Sequence, residues 1–191
     1  LPKPEYLEGD SLKPMVHTKE TSWRQYFCAE YTTHWPIQDY FPMRSIRGPR
    51  YKLIHNLLSD HQDLLYDHPT NEGVHAEGSP DIWSGLKSPE GTVSRETYER
   101  FLLPPEYELY DLHTDPGEQH NLADDPQYAD VQERLSENLM EWRKETNDPF
   151  LDMEYVRRFS KHYADHLRTI REWEEKHPDQ AIWNAAPKKI N

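Results

Sequence analysis

The first half of the chain alternates apolar and polar residues in short runs, a pattern typical of β-strands. One aromatic-rich run covers residues 23–31, and two more, residues 43–47 and 50–56, flank the turn pair Gly48-Pro49. A turn pair between two alternating runs predicts an antiparallel hairpin. A fourth run at residues 107–112 predicts one further strand.

The last third of the chain follows the three-to-four-residue spacing of amphipathic helices. One apolar stripe starts after Asp125, a suitable cap, and Pro126, which suits the first helical position; it should end near Pro149. A second stripe follows, formed by Val156, Phe159, Tyr163, Leu167 and Ile170. Strands first and helices last predict an α+β fold, a small four-stranded antiparallel sheet packed by C-terminal helices.

The remaining segments show no sustained pattern. Residues 1–20 contain three prolines and are predicted to be irregular, and the tail from Pro178 is predicted to be extended. Residues 92–103 favour a helix inside a mixed, acidic stretch. We therefore expect three parts: a lead-in at residues 1–22, a subdomain at 23–150 with an insert at about 57–105, and a C-terminal helix and tail at 151–191.

Charge and cysteine content exclude several classes of function. The 191 residues include 22 Lys and Arg against 35 Asp and Glu, a net charge of −13, which argues against binding to nucleic acid. No apolar run approaches the roughly 18–20 residues of a membrane span. Cys28 is the single cysteine, so an internal disulfide and a Cys-based zinc site are both excluded. We expect its thiol to be inert, because it lies in an apolar strand.

The residues reveal no self-contained catalytic apparatus. A cluster of Asp and His at residues 60–68 lacks the spacing of a metal site, and we interpret it as a polar loop. There is no nucleophile elbow, and seven glycines in the whole chain make a phosphate-binding loop implausible.

One polar group has two interpretations. Glu30, Thr33 and His34 lie where the first strand meets a loop, and Arg44 and Arg47 belong to the next strand. A pair of arginines beside a His and a Glu is suited to gripping a sulfate or a carboxylate. Alternatively, the two arginines simply pair with surface carboxylates.

A series of ordered motifs resembles the C-terminal region of type I sulfatases, which depend on formylglycine. The motifs are residues 9–15, 42–47, 51–56, 108–112, 115–118 and 121–122. The ending Trp-Arg-Lys-Glu-Thr-Asn-Asp-Pro at residues 142–149 is similar to that of the heparan N-sulfatase (sulfamidase) subgroup and its bacterial relatives. The resemblance extends over roughly residues 5–152.

The resemblance implies that the chemistry resides in another domain. Sulfatases of this type keep a large N-terminal α/β domain in which a Cys or Ser becomes formylglycine beside a calcium ion. Cys28 is followed by Ala29 and Glu30, and Thr32 stands where that motif requires Arg, so Cys28 does not match the nucleophile. We therefore expect no catalytic residue, metal or cofactor in this chain. Calcium and formylglycine are expected in the missing N-terminal domain. Residues 1–22 would be the lead-in from that domain to this subdomain.

The resemblance also names the substrate-binding candidates. Glu30 and His34 match a family E-x-x-x-H pattern in the loop that reaches the rim of the substrate pocket, and Arg44 is a third candidate that alternatively braces the subdomain. Structural roles in turns and caps are expected for Asp115, Pro116, Glu118 and Asn121. The expected partners are an N-terminal sulfatase catalytic domain and a sulfated sugar. The family suggests a periplasmic, secreted or lysosomal location.

Two functional hypotheses follow. In the first, the chain is the C-terminal subdomain of a sulfatase that hydrolyses sulfate esters or N-sulfate groups of a glycan, contributes to the pocket rim and to stability, and is inactive alone. In the second, it is a stand-alone, non-catalytic module that binds a glycan or a protein. An upstream reading frame with the formylglycine motif would favour the first hypothesis.

Overall fold

The computed structural model describes residues 11–18, 24–32, 41–59 and 87–177. Within these ranges four strands and four α-helices form an α+β fold, which confirms the prediction. The strands are β1 (Phe27–Tyr31), β2 (Met43–Arg47), β3 (Tyr51–Asn56) and β4 (Tyr107–Asp111). The helices are α1 (Lys13–Thr18), α2 (Val93–Leu102), α3 (Ala129–Glu145) and α4 (Met153–Lys176), with 3-10 turns at Pro126–Tyr128 and Pro149–Leu151.

The four strands form one antiparallel sheet in the order β1-β2-β3-β4. The predicted hairpin is confirmed, and the backbone N–H of Gly48 closes it by donating to the carbonyl of Tyr51 at 2.9 Å. Strand β1 begins at Phe27, later than predicted, because its partner in the register is Arg47, the last residue of β2. Residues 24–26 therefore have no residue of β2 to pair with.

Helix α3 covers one face of the sheet and forms the main hydrophobic core. Ile46, Leu53 and Leu109 come from three adjacent strands and meet Leu135 and Leu139 of α3, and each of the five is at most 2% exposed. Leu135 and Leu139 belong to the apolar stripe that the sequence predicts for this helix. Burying side chains of this size stabilises the fold by roughly 1.5–3 kcal/mol each, so this face fixes the register of the sheet.

A second, smaller core attaches the start of helix α4. Phe150 of the last 3-10 turn packs with Val156 and Tyr163, both buried members of the second predicted stripe. Leu57 and Leu58, which follow β3, pack against the same cluster. Helix α4 is thereby tied to the sheet, and among the residues that the structure describes no helix is long and apolar enough to cross a membrane.

The helix starts follow local capping chemistry. Thr92 caps α2, its hydroxyl accepting from the backbone N–H of Arg95 at 3.3 Å. Asp125 is an N-cap, as predicted, but it caps the 3-10 turn Pro126–Tyr128, and α3 begins only at Ala129. The prediction of an irregular lead-in is wrong over α1, because Ser11 accepts from the backbone N–H of Lys13 at 3.2 Å and supports one short helix.

Candidate substrate-rim site

Four polar or aromatic side chains lie at the same level of the sheet, one on each strand. The register pairs Glu30 with Arg44, Arg44 with His55, and His55 with Tyr107. All four belong to the face that α3 covers, one pleat away from the row of Ile46, Leu53 and Leu109. We call Glu30, Arg44, His55 and Tyr107 the polar row.

Glu30 presents its carboxylate to solvent at the edge of the sheet. Its side chain is 62% exposed, and its Oε2 lies 3.7 Å from Nε of Arg44. That distance is too long for a hydrogen bond. Within the described part of the chain the carboxylate forms a long ion pair with Arg44 but accepts no hydrogen bond, so its accepting positions remain available, as a substrate-binding candidate requires.

Arg44 is buried instead, with a residue exposure of 1%. Its Nε and Nη2 donate to Oδ2 and Oδ1 of Asp148 at 2.9 and 2.8 Å, a bidentate pair. Its Nη1 donates to the carbonyl oxygens of Met43 and Tyr31 at 2.9 and 3.1 Å. Every guanidinium nitrogen thus donates to an acceptor within this chain. These contacts favour the bracing role over contact with a ligand.

The structure separates the two arginines that the sequence suggested as a pair. Arg44 and Arg47 stand three residues apart in β2, and residues at odd spacing in a strand point to opposite faces. Arg47 is exposed, whereas Arg44 is buried against α3. The interpretation in which both grip one anion is wrong for this reason.

A specific helix ending brings Asp148 to Arg44. Asn147 follows α3 with φ of 52°, in the left-handed region that Asn tolerates. The N–H of Asp148 then donates to the carbonyl of Arg143 at 2.9 Å, and the N–H of Asn147 donates to Lys144 at 3.1 Å. This is the Schellman pattern, which turns the chain so that the Asp148 carboxylate faces the sheet. The motif at residues 142–149 thus has a structural explanation.

Asp148 collects four donors. Oδ1 accepts from Arg44 and from the backbone N–H of Phe150 at 3.0 Å, and Oδ2 accepts from Arg44 and from Nε of Arg143 at 2.7 Å. Burial alone would raise the pKa of Asp148, but the hydrogen bonds from Arg44, Arg143 and Phe150 outweigh it and lower the pKa to about 2. The carboxylate is therefore ionised wherever the protein is folded at ordinary pH.

His55 occupies the centre of the polar row. Its ring stacks on Tyr107 with centroids 4.6 Å apart, and its Nε2 lies 3.9 Å from a carboxylate oxygen of Glu106. Burial, together with the positive charges of Arg143 and Arg44, lowers the pKa of His55 to about 4. The imidazole is neutral at pH 7 and can donate from one nitrogen while accepting at the other.

Two predicted groups fall outside the described residues. His34 and Thr33 belong to residues 33–40, and the Asp and His cluster belongs to residues 60–68, so the structure describes neither. In the described ranges, no group of three or more His, Cys, Asp or Glu could hold a metal ion.

The other sequence predictions concern structural residues. Asp115 accepts from the backbone N–H groups of Gln119 and His120 at 2.8 Å each. Oδ1 of Asn121 accepts from the backbone N–H of Leu109 on the outer edge of β4. Glu118 pairs with Lys52 of β3. Cys28 is partly buried against the main core, and burial raises its pKa to about 11. These contacts match the expected turn and cap roles and an unreactive thiol.

Sequence reasoning missed Asp148, Arg143 and His55 as members of this site. Asp148 lies 104 residues from Arg44 in the chain, so no local spacing connects them. The one available signal was the Arg-x-x-x-x-Asp spacing inside the motif at residues 142–149. His55 stands in the motif at 51–56, but its neighbours Arg44, Tyr107 and Arg143 come from β2, β4 and α3.

Comparison with known proteins decides the relationship. The family described as N-sulphoglucosamine sulphohydrolase, C-terminal, matches residues 96–145. The human N-sulphoglucosamine sulphohydrolase is 28% identical over 147 residues, and an ulvan-active sulfatase of Formosa agariphila is 30% identical over 146 residues. This chain is similar to the C-terminal region of sulfatases. The resemblance found in its motifs is confirmed.

The similarity covers most of this chain and a small part of each relative. It extends over 76% of this chain but only 28% of the human protein and 26% of the Formosa protein. A solved structure described as a 2-O GAG sulfatase aligns with a TM-score of 0.47 at 22% identity, covering 78% of this chain and 23% of that one. The chain thus spans about a quarter of the length of these sulfatases.

Proposed function

We propose that this chain acts as the C-terminal subdomain of a formylglycine-dependent sulfatase that hydrolyses sulfate esters or N-sulfate groups of a glycan. It contributes stability and part of the rim of the substrate pocket, and an N-terminal catalytic domain supplies formylglycine, calcium and the chemical step. The observation that carries the proposal is the exposed Glu30 carboxylate at the end of β1, in a chain whose relatives are sulfatases.

The chemistry of Glu30 narrows its part in binding. A carboxylate accepts hydrogen bonds from hydroxyl or amino groups and repels a second anion. Glu30 therefore fits a hydroxyl of the sugar, while the sulfate group faces the catalytic domain. In the proposal His34 provides a second sugar contact, which rests on the resemblance of the E-x-x-x-H pattern alone.

The test uses the full-length enzyme and two substrates, N-sulfated glucosamine and a small aryl sulfate. Loss of one polar contact costs on the order of 1–3 kcal/mol, so Glu30→Gln and His34→Ala should each lower kcat/KM for the sugar roughly tenfold to hundredfold. The aryl sulfate, which lacks the sugar hydroxyls, should be much less affected. Glu137→Gln, at an exposed position of α3, is the matched control.

Three outcomes would contradict the proposal. Equal losses on both substrates would show that the variants disturb the fold or the catalytic domain rather than a sugar contact. Turnover of either substrate by the purified 191-residue chain, abolished by a substitution within it, would place catalysis here. Tight binding of a glycan by the chain alone, in a protein with no sulfatase activity, would favour the stand-alone module.

A further inference from the structure

The bidentate pair between Arg44 and Asp148 takes hydrogen bonds of the guanidinium and leaves Glu30 with a longer ion pair that carries no hydrogen bond. Nε of Arg44 lies 2.9 Å from Asp148 and 3.7 Å from Glu30, so the same nitrogen is bonded to the first carboxylate and only near the second. The guanidinium also lies over the ring of Phe150, 5.0 Å from its centroid. The hydrogen bonds of Arg44 thus go to Asp148 and to backbone carbonyls, and among the described residues none goes to the exposed Glu30 carboxylate.

The same arginine fixes the strand end from which Glu30 projects. Its Nη1 donates to the carbonyl of Tyr31, the last residue of β1, and lies 3.5 Å from the hydroxyl of Thr32. Both residues directly follow Glu30. Asp148, by holding Arg44, therefore controls the position of the backbone beside Glu30 and the direction in which the guanidinium points.

We infer that Asp148 is a positioning residue for substrate binding, which keeps Arg44 engaged so that Glu30 stays open to the sugar. The inference rests on the proposed function of Glu30. When Asp148 loses its charge, Glu30 is the other carboxylate paired with Arg44, and shortening of that 3.7 Å ion pair to a hydrogen bond closes the accepting positions that the sugar uses. Arg143 supports the arrangement, because it donates to Oδ2 of Asp148, which also accepts from Nε of Arg44, and to the carbonyl of Phe150 at 2.9 Å.

The experiment compares Asp148→Asn with Asp152→Asn in the full-length enzyme. Asp152 lies four residues further on and caps the start of α4 by accepting from Glu154 at 2.8 Å, without contact to Arg44. We expect Asp148→Asn to raise KM for N-sulfated glucosamine about tenfold, to change kcat less than about twofold, and to leave kcat/KM for the aryl sulfate within about twofold. Asp152→Asn should leave all of these values within about twofold of the wild type.

A double variant separates positioning from a general structural effect. If Asp148 acts through Glu30, the variant Asp148→Asn with Glu30→Gln should show the KM of Glu30→Gln alone. Multiplied losses would overturn the inference, and so would an Asp148→Asn enzyme that behaves like Asp152→Asn while Glu30→Gln raises KM. If Glu30→Gln leaves KM unchanged, the proposed function of Glu30 fails instead.

A further measurement does not depend on the folding of an Asp148 variant. Because Glu30 lies 3.7 Å from Arg44 and is exposed, Glu30→Gln should shift the melting temperature by less than about 2 °C. A drop of more than about 6 °C would show that Glu30 is itself a structural partner of Arg44, and the inference would be overturned.

Discussion

Replacing His55 should change how the stability of the fold depends on pH. Its imidazole is surrounded by Arg44 on the neighbouring strand, Arg143 on α3, Glu106 and Tyr107, and only 17% of its side chain is exposed. Burial and the two arginines favour the neutral ring. The folded protein therefore binds a proton at this site less readily than the unfolded chain does.

The magnitude follows from the two pKa values. The pKa falls from 6.5 in the unfolded chain to about 4 in the folded protein, so unfolding takes up a proton between these limits. Titration of His55 therefore leaves the free energy of unfolding unchanged above pH 6.5 and lowers it as the pH falls toward 4. At 1.36 kcal/mol per pKa unit, the loss is about 2 kcal/mol at pH 5 and approaches about 3 kcal/mol below pH 4.

Urea unfolding of the 191-residue chain at pH 8, 6.5 and 5 measures this effect. The variant His55→Gln loses the ring stack at every pH but cannot titrate, so its free energy of unfolding should fall about 2 kcal/mol less than that of the wild type between pH 8 and 5. His162→Gln, at an exposed position of α4, is the control and should track the wild type. Parallel pH curves for His55→Gln and the wild type would refute the reasoning. Asp148 does not interfere, because its pKa of about 2 places its own loss of stability below pH 4.

Two further predictions concern residues outside the polar row. Asn121 accepts from the N–H groups of Leu109 and Ala123 at 2.9 and 3.0 Å and donates to Tyr107 at 3.1 Å. Asn121→Ala should cost about 2–3 kcal/mol in urea unfolding, and Asn121→Asp, which keeps both acceptor bonds, should cost less; equal losses would contradict the edge-capping role. Cys28, with its pKa raised to about 11, should react with iodoacetamide at pH 8 at least roughly a hundredfold more slowly in the folded chain than in urea, and equal rates would contradict its burial.

The sheet and both long helices could be predicted from the sequence because their apolar residues have regular spacing. Ile46, Leu53 and Leu109 alternate within short strands, and Leu135 and Leu139 recur every four residues, so each periodicity reports a buried face. Helix α1 could not be predicted in this way. Leu12 just before it and Val16 within it are exposed and form no stripe against the core, and a local cap from Ser11 supports the turn.

The site was less predictable from the sequence because buried charged residues do not recur at a regular spacing. Glu30 could be selected from its place at a strand end, but the role of Arg44 depends on a carboxylate 104 residues away. Only the tertiary fold brings the end of α3 onto β2. The same holds for His55, whose lowered pKa comes from burial and from arginines of a helix and of another strand. Residue type suggested a charged surface pair, whereas the fold makes a buried network.

The distribution of charge in this network bears on what the chain can bind. Arg44 and Arg143 are 1% and 3% exposed and share Asp148, while Glu30 and Glu106, the carboxylates that contact Arg44 and His55 among the described residues, are 62% and 64% exposed. The exposed Arg47 lies on the opposite face of the sheet. A surface that shows carboxylates and buries its arginines attracts hydroxyl and amino groups and does not grip a sulfate by itself. In the proposed function, a sulfated sugar bound beside Glu30 therefore has its sulfate held by the catalytic domain. This argues for a rim that acts together with a catalytic domain and against a stand-alone module for sulfated glycans, in keeping with a chain whose net charge is −13.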